Sequence, residues 1–181
     1  SLGEGKYILQ GTERMHERPL HDLLDALNQI GIPVRSVNNN GCPPVEITAG
    51  KVDGGAVSLR CKVSSQYLSA LLLIAPHTRK GLDITVTEGP VSKPYIDMTL
   101  DVMAELGVSA RRDGYTFFKV PGGQVYKAGH YQVEPDASNA GYFWASAAVT
   151  GGTVKVRGIT KDSRQGDVRL TELFAAMGCK V

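Results

Sequence analysis

Two kinds of hydrophobic pattern alternate along this chain of 181 residues. Alternating apolar and polar positions, as in residues 57–61, are typical of half-buried strands, whereas spacings of three and four residues predict amphipathic helices. The apolar positions of residues 20–30 and of residues 95–106 each fall on one helical face. Residues 65–74 and 136–145 are apolar almost throughout, so we expect each of these helices to be more buried than the amphipathic helix that follows it.

The same succession of elements occurs three times along the chain. Each copy has a strand ending in Gly, a loop, an amphipathic helix, a second Gly that stops the helix, and another strand. The sequence therefore predicts a mixed α/β (α+β) repeat with buried helices and outer sheets. The copies are expected at 8–34, 84–110 and 154–181, a further strand at 130–133, and hairpins pairing 45–48 with 57–61 and 110–112 with 116–120.

Composition narrows the class of protein. The length allows one large domain or two small ones, and the absence of an apolar run of about 18 residues argues against a membrane span. A formal charge of +2, with scattered basic residues, argues against a nucleic-acid partner. Cys42, Cys61 and Cys179 are an odd number and show neither CxxC nor Cys/His metal spacing, so we expect a reduced, cytoplasmic protein without structural disulfides and without a metal. The chain lacks an initiator Met and stops as a strand begins, so we expect an internal fragment.

Four loops precede predicted helices, at residues 13–19, 64–66, 91–95 and 162–167. Helix N-termini offer unpaired N–H donors and a partial positive charge, which suits anions. Equivalent positions of a repeat point the same way, so we expect the first three loops to converge within one domain. For Ser64 and Ser65 the commoner role is a plain helix cap.

Ordinary structural roles compete with ligand binding at the other candidates. Arg14 could simply pair with Glu13 or Glu17, Ser92 could cap its helix, and Tyr95 could pack its ring. Arg18 precedes a proline and is therefore held extended, so its guanidinium can be aimed at a carboxylate or phosphate. No acid/base pair and no Gly-rich nucleotide loop is visible. The residues alone predict half of a site for a small ligand with several negative charges.

Five motifs carry a resemblance to a known family. Over essentially its whole length the chain resembles the 5-enolpyruvylshikimate-3-phosphate synthases, which are 3-phosphoshikimate 1-carboxyvinyltransferases. The motifs, in the family's order, are ERP at 17–19, NGCPPV at 40–45, VSSQYLSAL at 63–71, VSKPYIDMT at 91–99 and DASNA at 136–140.

This resemblance implies an enzyme of aromatic amino acid biosynthesis. In the family, two similar domains of three βαβαββ units each close over the active site. The enolpyruvyl group of phosphoenolpyruvate moves to the 5-hydroxyl of shikimate 3-phosphate, and phosphate is released. The resemblance implies no cofactor and a monomer when full length. It assigns residues 1–133 to most of the first domain and residues 134–181 to the start of the second.

The resemblance also implies roles for single residues. Those implied to bind shikimate 3-phosphate are Ser64, Ser65, Gln66, Ser92 and Tyr95. Arg18 is implied to bind phosphoenolpyruvate, Gln66 lies between the two substrates, and Arg14 is a weaker candidate.

Other parts of the family's machinery have no counterpart in these residues. They include the N-terminal lysine and serine, a Leu-Gly-Asn-Ala-Gly-Thr loop, and the Asp and Glu that transfer protons. We therefore expect no catalytic residue within this chain, no turnover without the remainder of its polypeptide, and at most weak binding of shikimate 3-phosphate. Two alternatives are the sibling transferase acting on UDP-N-acetylglucosamine, whose reactive-cysteine loop is not visible, and a non-catalytic anion-binding domain.

Overall fold

A computed structural model describes residues 2–181 and divides the chain into two compact units. The first unit runs to Ala128 and the second from Gly129 to Val181. The strands and helices of the first unit, together with the helices of the second, give the mixed α/β fold that the hydrophobic pattern predicts. The domain division expected after residue 133 stays a prediction. No helix within residues 2–181 is long and apolar enough to cross a membrane.

The first sheet of unit one has three antiparallel strands. These are β1 (Gly5–Leu9), β2 (Val34–Ser36) and β3 (Val45–Ala49), in the order β1-β3-β2, and helix α1 (His21–Gln29) connects β1 to β2. The spacing of apolar residues predicts α1 well, because Leu24, Ala26 and Leu27 face the core.

The second sheet contains a complete βαβαββ run. Strands β4 (Gly55–Arg60) and β5 (Leu82–Glu88) are parallel neighbours joined through helix α2 (Gln66–Ile74). Helix α3 (Lys93–Glu105) leads from β5 to β6 (Arg111–Asp113) and β7 (Phe117–Val120), which form an antiparallel hairpin. The strand order is β4-β5-β7-β6. The predicted hairpin across residues 113–114 is confirmed.

The other predicted hairpin is wrong, because β3 pairs with β1 and β2 and not with β4. The physical reason is a close backbone approach at the start of β4. A Cβ atom on Gly54 would lie 2.3 Å from the carbonyl oxygen of Gly81, and the N–H of Gly55 donates to that same oxygen at 2.8 Å. Only glycine permits this contact, which aligns the beginnings of β4 and β5.

The core of unit one lies between its sheets and helices. Leu68, Leu71 and Leu72 of α2 are fully buried, as are Ile84 and Phe118 of the sheet. Complete burial of each such side chain is worth about 1.5–3 kcal/mol. As expected, α2 is more buried than α3, in which only Ile96 and Met103 are buried.

The second unit is helical. It contains α4 (Ala137–Thr150), a 3-10 turn (Gly166–Arg169) and α5 (Leu170–Ala176). The strands predicted at 130–133, 154–158 and 179–181 are absent from this described unit, because a strand needs a hydrogen-bonded neighbour and none is present. As expected, α4 is more buried than α5, because Ala137, Ala140 and Gly141 of α4 are buried and no residue of α5 is, although Tyr142 and Phe143 are 77% and 62% exposed.

Candidate functional site

Two helices of unit one begin side by side at one edge of the second sheet. Because β4 and β5 are parallel neighbours, their carboxyl ends share an edge, and α2 and α3 start just beyond it. The connecting turns are themselves hydrogen-bonded. The Cys61 N–H donates to the Glu88 carbonyl at 2.7 Å, and the Val91 N–H donates to the Cys61 carbonyl at 3.3 Å. The two sets of free helix N–H groups therefore face the same space.

A pocket of about 600 Å³ opens at this edge. A cavity of this size suits a small metabolite. The five residues assigned by sequence to shikimate 3-phosphate all line it, together with seven others. The lining residues are Val63, Ser64, Ser65, Gln66, Ser69, Leu73, Val91, Ser92, Tyr95, Met98, Thr99 and Val102.

In the turn before α2, Ser64 caps the helix, whereas the Ser65 hydroxyl makes no capping hydrogen bond. The Ser64 hydroxyl accepts the Gln66 N–H at 3.2 Å and so satisfies one free donor of the helix. Ser65 occupies the N-cap position, yet its hydroxyl makes no capping hydrogen bond, and the residue is only 5% exposed. Within residues 2–181 the side-chain amide of Gln66 also forms no hydrogen bond. Two polar side chains at this helix start are therefore available to a ligand.

The turn before α3 has a strained serine. Ser92 precedes the helix with φ 52° and ψ 48°, the left-handed region that disfavours residues with a side chain. Its hydroxyl does not cap the helix, so the simple capping role weighed from the sequence is wrong. Tyr95 is 44% exposed, and its hydroxyl has no hydrogen-bond partner among the described residues. An unfavourable backbone with an unused hydroxyl is typical of a functional position.

The two candidate arginines do not line the pocket. Arg14 forms an ion pair with Glu17 on the surface, the ordinary role that the sequence allowed. Arg18 has the extended backbone expected before Pro19, at φ −85° and ψ 120°. Among residues 2–181 no carboxylate pairs with Arg18. Of the three loops expected to converge, those at 64–66 and 91–95 line this pocket and the loop at 13–19 does not. In the loop at 13–19, Arg18 has a guanidinium that is unpaired among the described residues, whereas Arg14 is paired with Glu17.

Sequence reasoning missed two further hydroxyls in the pocket lining. Ser69 and Thr99 lie 2.7 Å apart, and Thr99 also donates to the Tyr95 carbonyl at 2.8 Å. Each lies four residues beyond a predicted site residue, Ser65 or Tyr95. Positions four apart share a helical face. Counting four residues onward from Ser65 and Tyr95 would therefore have identified both hydroxyls from the sequence.

The pocket wall carries no formal charge. None of its lining residues is Asp, Glu, His, Lys or Arg, so its attraction for anions comes from hydroxyl and amide donors and from two helix N-termini. Within residues 2–181, no group of three or more His, Cys, Asp and Glu residues could hold a metal ion. The arrangement can bind and orient an anion, but it contains no group that transfers protons near neutral pH.

Known proteins resemble the whole chain. Residues 1–181 match the family model for EPSP synthase (3-phosphoshikimate 1-carboxyvinyltransferase). The 3-phosphoshikimate 1-carboxyvinyltransferase of Sulfurovum sp. (strain NBC37-1) is 47% identical over 182 residues, which cover 100% of this chain and 43% of that protein. Its namesake from Marinomonas sp. (strain MWYL1) is 45% identical, covering 99% of this chain and 43% of its own length. The chain thus spans 43% of the length of these curated relatives.

Solved structures resemble the fold. EPSP synthase from Acinetobacter baumannii aligns with a TM-score of 0.67 and 24% identity, over 82% of this chain and 32% of that one. The enolpyruvyl transferase NikO from Streptomyces tendae aligns with a TM-score of 0.54 and 18% identity, over 77% of this chain and 32% of its own. At these identities the likeness concerns the fold, and the enolpyruvyl transferase-like architecture predicted from the sequence is confirmed.

Proposed function

Because the chain belongs to the EPSP synthase family, we propose that it is the section of such an enzyme that holds shikimate 3-phosphate. Across the whole enzyme, the enolpyruvyl group of phosphoenolpyruvate would move to the 5-hydroxyl of this substrate, with release of phosphate. One observation carries the proposal. Ser65, Gln66, Ser92 and Tyr95 present polar groups without protein hydrogen bonds to one pocket at two helix N-termini.

The chemistry of this pocket suits the phosphate group of the substrate. Ser65 and Ser92 hydroxyls, with the free N–H groups of α2 and α3, are donors that a phosphate oxygen accepts. Val63, Val91 and Met98 supply apolar surface for a carbon ring. We assign the phosphate to Ser64, Ser65 and Ser92, because the hydroxyl that caps α2 can still donate its own hydrogen outward.

Direct binding to the chain tests this assignment. Isothermal titration calorimetry with shikimate 3-phosphate should detect weak binding, and Ser65→Ala should weaken it about tenfold, as loss of one charge-assisted hydrogen bond predicts. Ser58→Ala is the matched control, because Ser58 is exposed on β4 and lies outside the pocket. Equal affinities for the wild type and Ser65→Ala would overturn the assignment. Stronger binding of UDP-N-acetylglucosamine would support the sibling transferase.

We assign phosphoenolpyruvate to Arg18, with Gln66 between the two substrates. The unpaired guanidinium of Arg18 supports this, whereas Arg14 is already engaged by Glu17. The assay is steady-state kinetics in the Sulfurovum relative after its matching section is replaced by residues 1–181. Arg18→Ala should raise the KM for phosphoenolpyruvate at least tenfold, as loss of a charged contact predicts, while Arg14→Ala changes it little. Equal effects of the two substitutions would refute the distinction between these arginines.

The chain alone should not turn over substrate. Its pocket has no acid or base, and proton transfer requires one. A phosphate-release assay with both substrates checks this directly, and release above a blank would contradict it. We further propose that the complete enzyme is a cytoplasmic monomer, consistent with three free cysteines. Sedimentation of the complete enzyme as a dimer would overturn the oligomeric part.

A further inference from the structure

Tyr67 follows Gln66 directly, but it does not line the pocket. Its side chain is buried, with 6% of the residue exposed, and its hydroxyl donates a hydrogen bond to the carbonyl oxygen of Pro19. The two residues are 48 positions apart in the chain. The first turn of α2 is thereby attached to the segment that carries Arg18.

That hydrogen bond restrains Arg18 from its C-terminal side. On the N-terminal side the Arg18 N–H donates to the Met15 carbonyl at 3.2 Å, and beyond Pro19 the Leu20 N–H donates to the Gly41 carbonyl at 2.7 Å. The backbone of Arg18 is therefore fixed by hydrogen bonds on both sides, whereas its side chain remains unpaired among the described residues. A fixed backbone beneath a free guanidinium is a suitable arrangement for positioning a charge.

A second connection joins the elements next to these two segments, which are β4 before α2 and α1 after Pro19. The guanidinium of Arg60, at the end of β4, donates to the buried carboxylate of Asp22 at 2.8 Å and lies 3.7 Å from Asp25. Burial raises the pKa of Tyr67, the negative charge of Asp22 adds to that rise, and the positive charge of Arg18 opposes it.

We propose that Tyr67 is a positioning residue that fixes Arg18 relative to the N-terminus of α2. The inference rests on the proposed function, in which Arg18 binds phosphoenolpyruvate and the residues before Tyr67 bind shikimate 3-phosphate. Group transfer between two bound substrates depends on their separation, and a displacement of about 1 Å lowers rates by about two orders of magnitude. The Tyr67 hydroxyl would keep the two sites in register without contacting either substrate.

The first test is kinetic and uses Tyr67→Phe in the Sulfurovum enzyme that carries residues 1–181. We expect the KM for phosphoenolpyruvate to rise about five- to tenfold, the effect of one lost hydrogen bond, while the KM for shikimate 3-phosphate changes less than about twofold. Tyr126→Phe is the matched control, because the Tyr126 hydroxyl also donates to a backbone carbonyl, that of Leu73, at 3.1 Å. An unchanged KM for phosphoenolpyruvate, or an equal rise for both substrates, would overturn the proposal.

The second test does not depend on turnover. In the 181-residue chain, nuclear magnetic resonance should show a shifted Pro19 carbonyl signal and a more mobile Arg18 amide in Tyr67→Phe. No change at either position would overturn the positioning role, whatever the kinetics show. Failure of the proposed function has a different signature, in which wild-type chain binds no shikimate 3-phosphate and the hybrid enzyme is inactive.

Discussion

Replacing Ser92 with glycine should stabilise the chain and weaken ligand binding at the same time. Ser92 lies at φ 52°, is exposed, and makes no capping hydrogen bond, so the folded protein without ligand gains little from its side chain. In the proposed site its hydroxyl donates to the substrate phosphate. The substitution therefore separates the contribution of this residue to folding from its contribution to binding.

The magnitudes follow from the backbone and the hydroxyl. A left-handed backbone costs a residue with a side chain about 1–2 kcal/mol, and the greater freedom of glycine in the unfolded chain offsets about 0.4–1 kcal/mol of that relief. We expect a net gain of about 0.5–1 kcal/mol, which raises Tm by about 1–4 °C for a chain of this size. Loss of a hydrogen bond to a charged phosphate should weaken binding about tenfold or more.

The stability of the first unit must be measured with a spectroscopic probe located in that unit. The chain has one tryptophan, Trp144, and it lies in the second unit, so its fluorescence reports on other residues. Circular dichroism, with hydrogen exchange at buried β5 amides, follows the unit that contains Ser92. Binding of shikimate 3-phosphate is measured by calorimetry on the same samples.

Two matched variants separate the two effects. Ser92→Ala keeps the left-handed strain and removes the hydroxyl, so it should weaken binding without raising Tm. Asn39 has φ 55° outside the pocket, and Asn39→Gly should raise Tm slightly without affecting binding, since asparagine tolerates this conformation better than serine. Lower stability in Ser92→Gly would refute the strain argument. Unchanged affinity in both Ser92 variants would refute the assignment of this hydroxyl to the phosphate.

Three further predictions concern the core, the pH dependence and a helix cap. Phe118→Ala removes a fully buried ring between the sheet and its helices and should destabilise unit one by about 3–5 kcal/mol in urea unfolding. Burial raises the pKa of the Cys61 thiol above its usual 9.0. The free energy of unfolding therefore has its full value below about pH 9 and falls as the pH rises toward the pKa of this thiol in the folded protein. Cys61→Ala should flatten that fall when urea unfolding is measured across the same pH range. The Asp136 carboxylate accepts the Ser138 N–H at 2.8 Å and caps α4, so Asp136→Ala should reduce α4 helicity and stability by about 1 kcal/mol, and unchanged hydrogen exchange at Ser138 would contradict this.

Local sequence patterns predicted where helices and strands form better than they predicted which strands pair. The hairpin between β6 and β7 follows from Asp113-Gly114, whose turn preference acts over four residues. The partners of β3 depend on Gly54 meeting Gly81, which are far apart in sequence, and no periodicity records such a contact. The strands expected in unit two had suitable residues but no neighbouring strand, which an alternating pattern cannot supply.

The candidate site was likewise predicted only in part from the sequence. Repeat positions predicted that helix starts would be neighbours, because parallel strands bring successive helix N-termini to one edge. They did not distinguish the residue that caps from the residue left free, since Ser64 and Ser65 are chemically identical and only the first turn of α2 decides between them. The hydrogen bond from Tyr67 to Pro19 was likewise hidden, because a buried aromatic residue in an apolar helix predicts packing rather than a polar contact.

A pocket that holds an anion in the way proposed is a poor place for acid/base chemistry. Two helix N-termini lower the pKa of any carboxylate placed beside them, and such a carboxylate would also repel the phosphate. Both effects favour a neutral wall with serine, threonine, glutamine and tyrosine as its polar groups, which is what the pocket-lining residues provide. A general base needs a pKa near the working pH, so its carboxylate belongs on other elements of the polypeptide. The neutrality of this pocket is therefore the physical reason to expect ligand binding here and proton transfer from residues outside it.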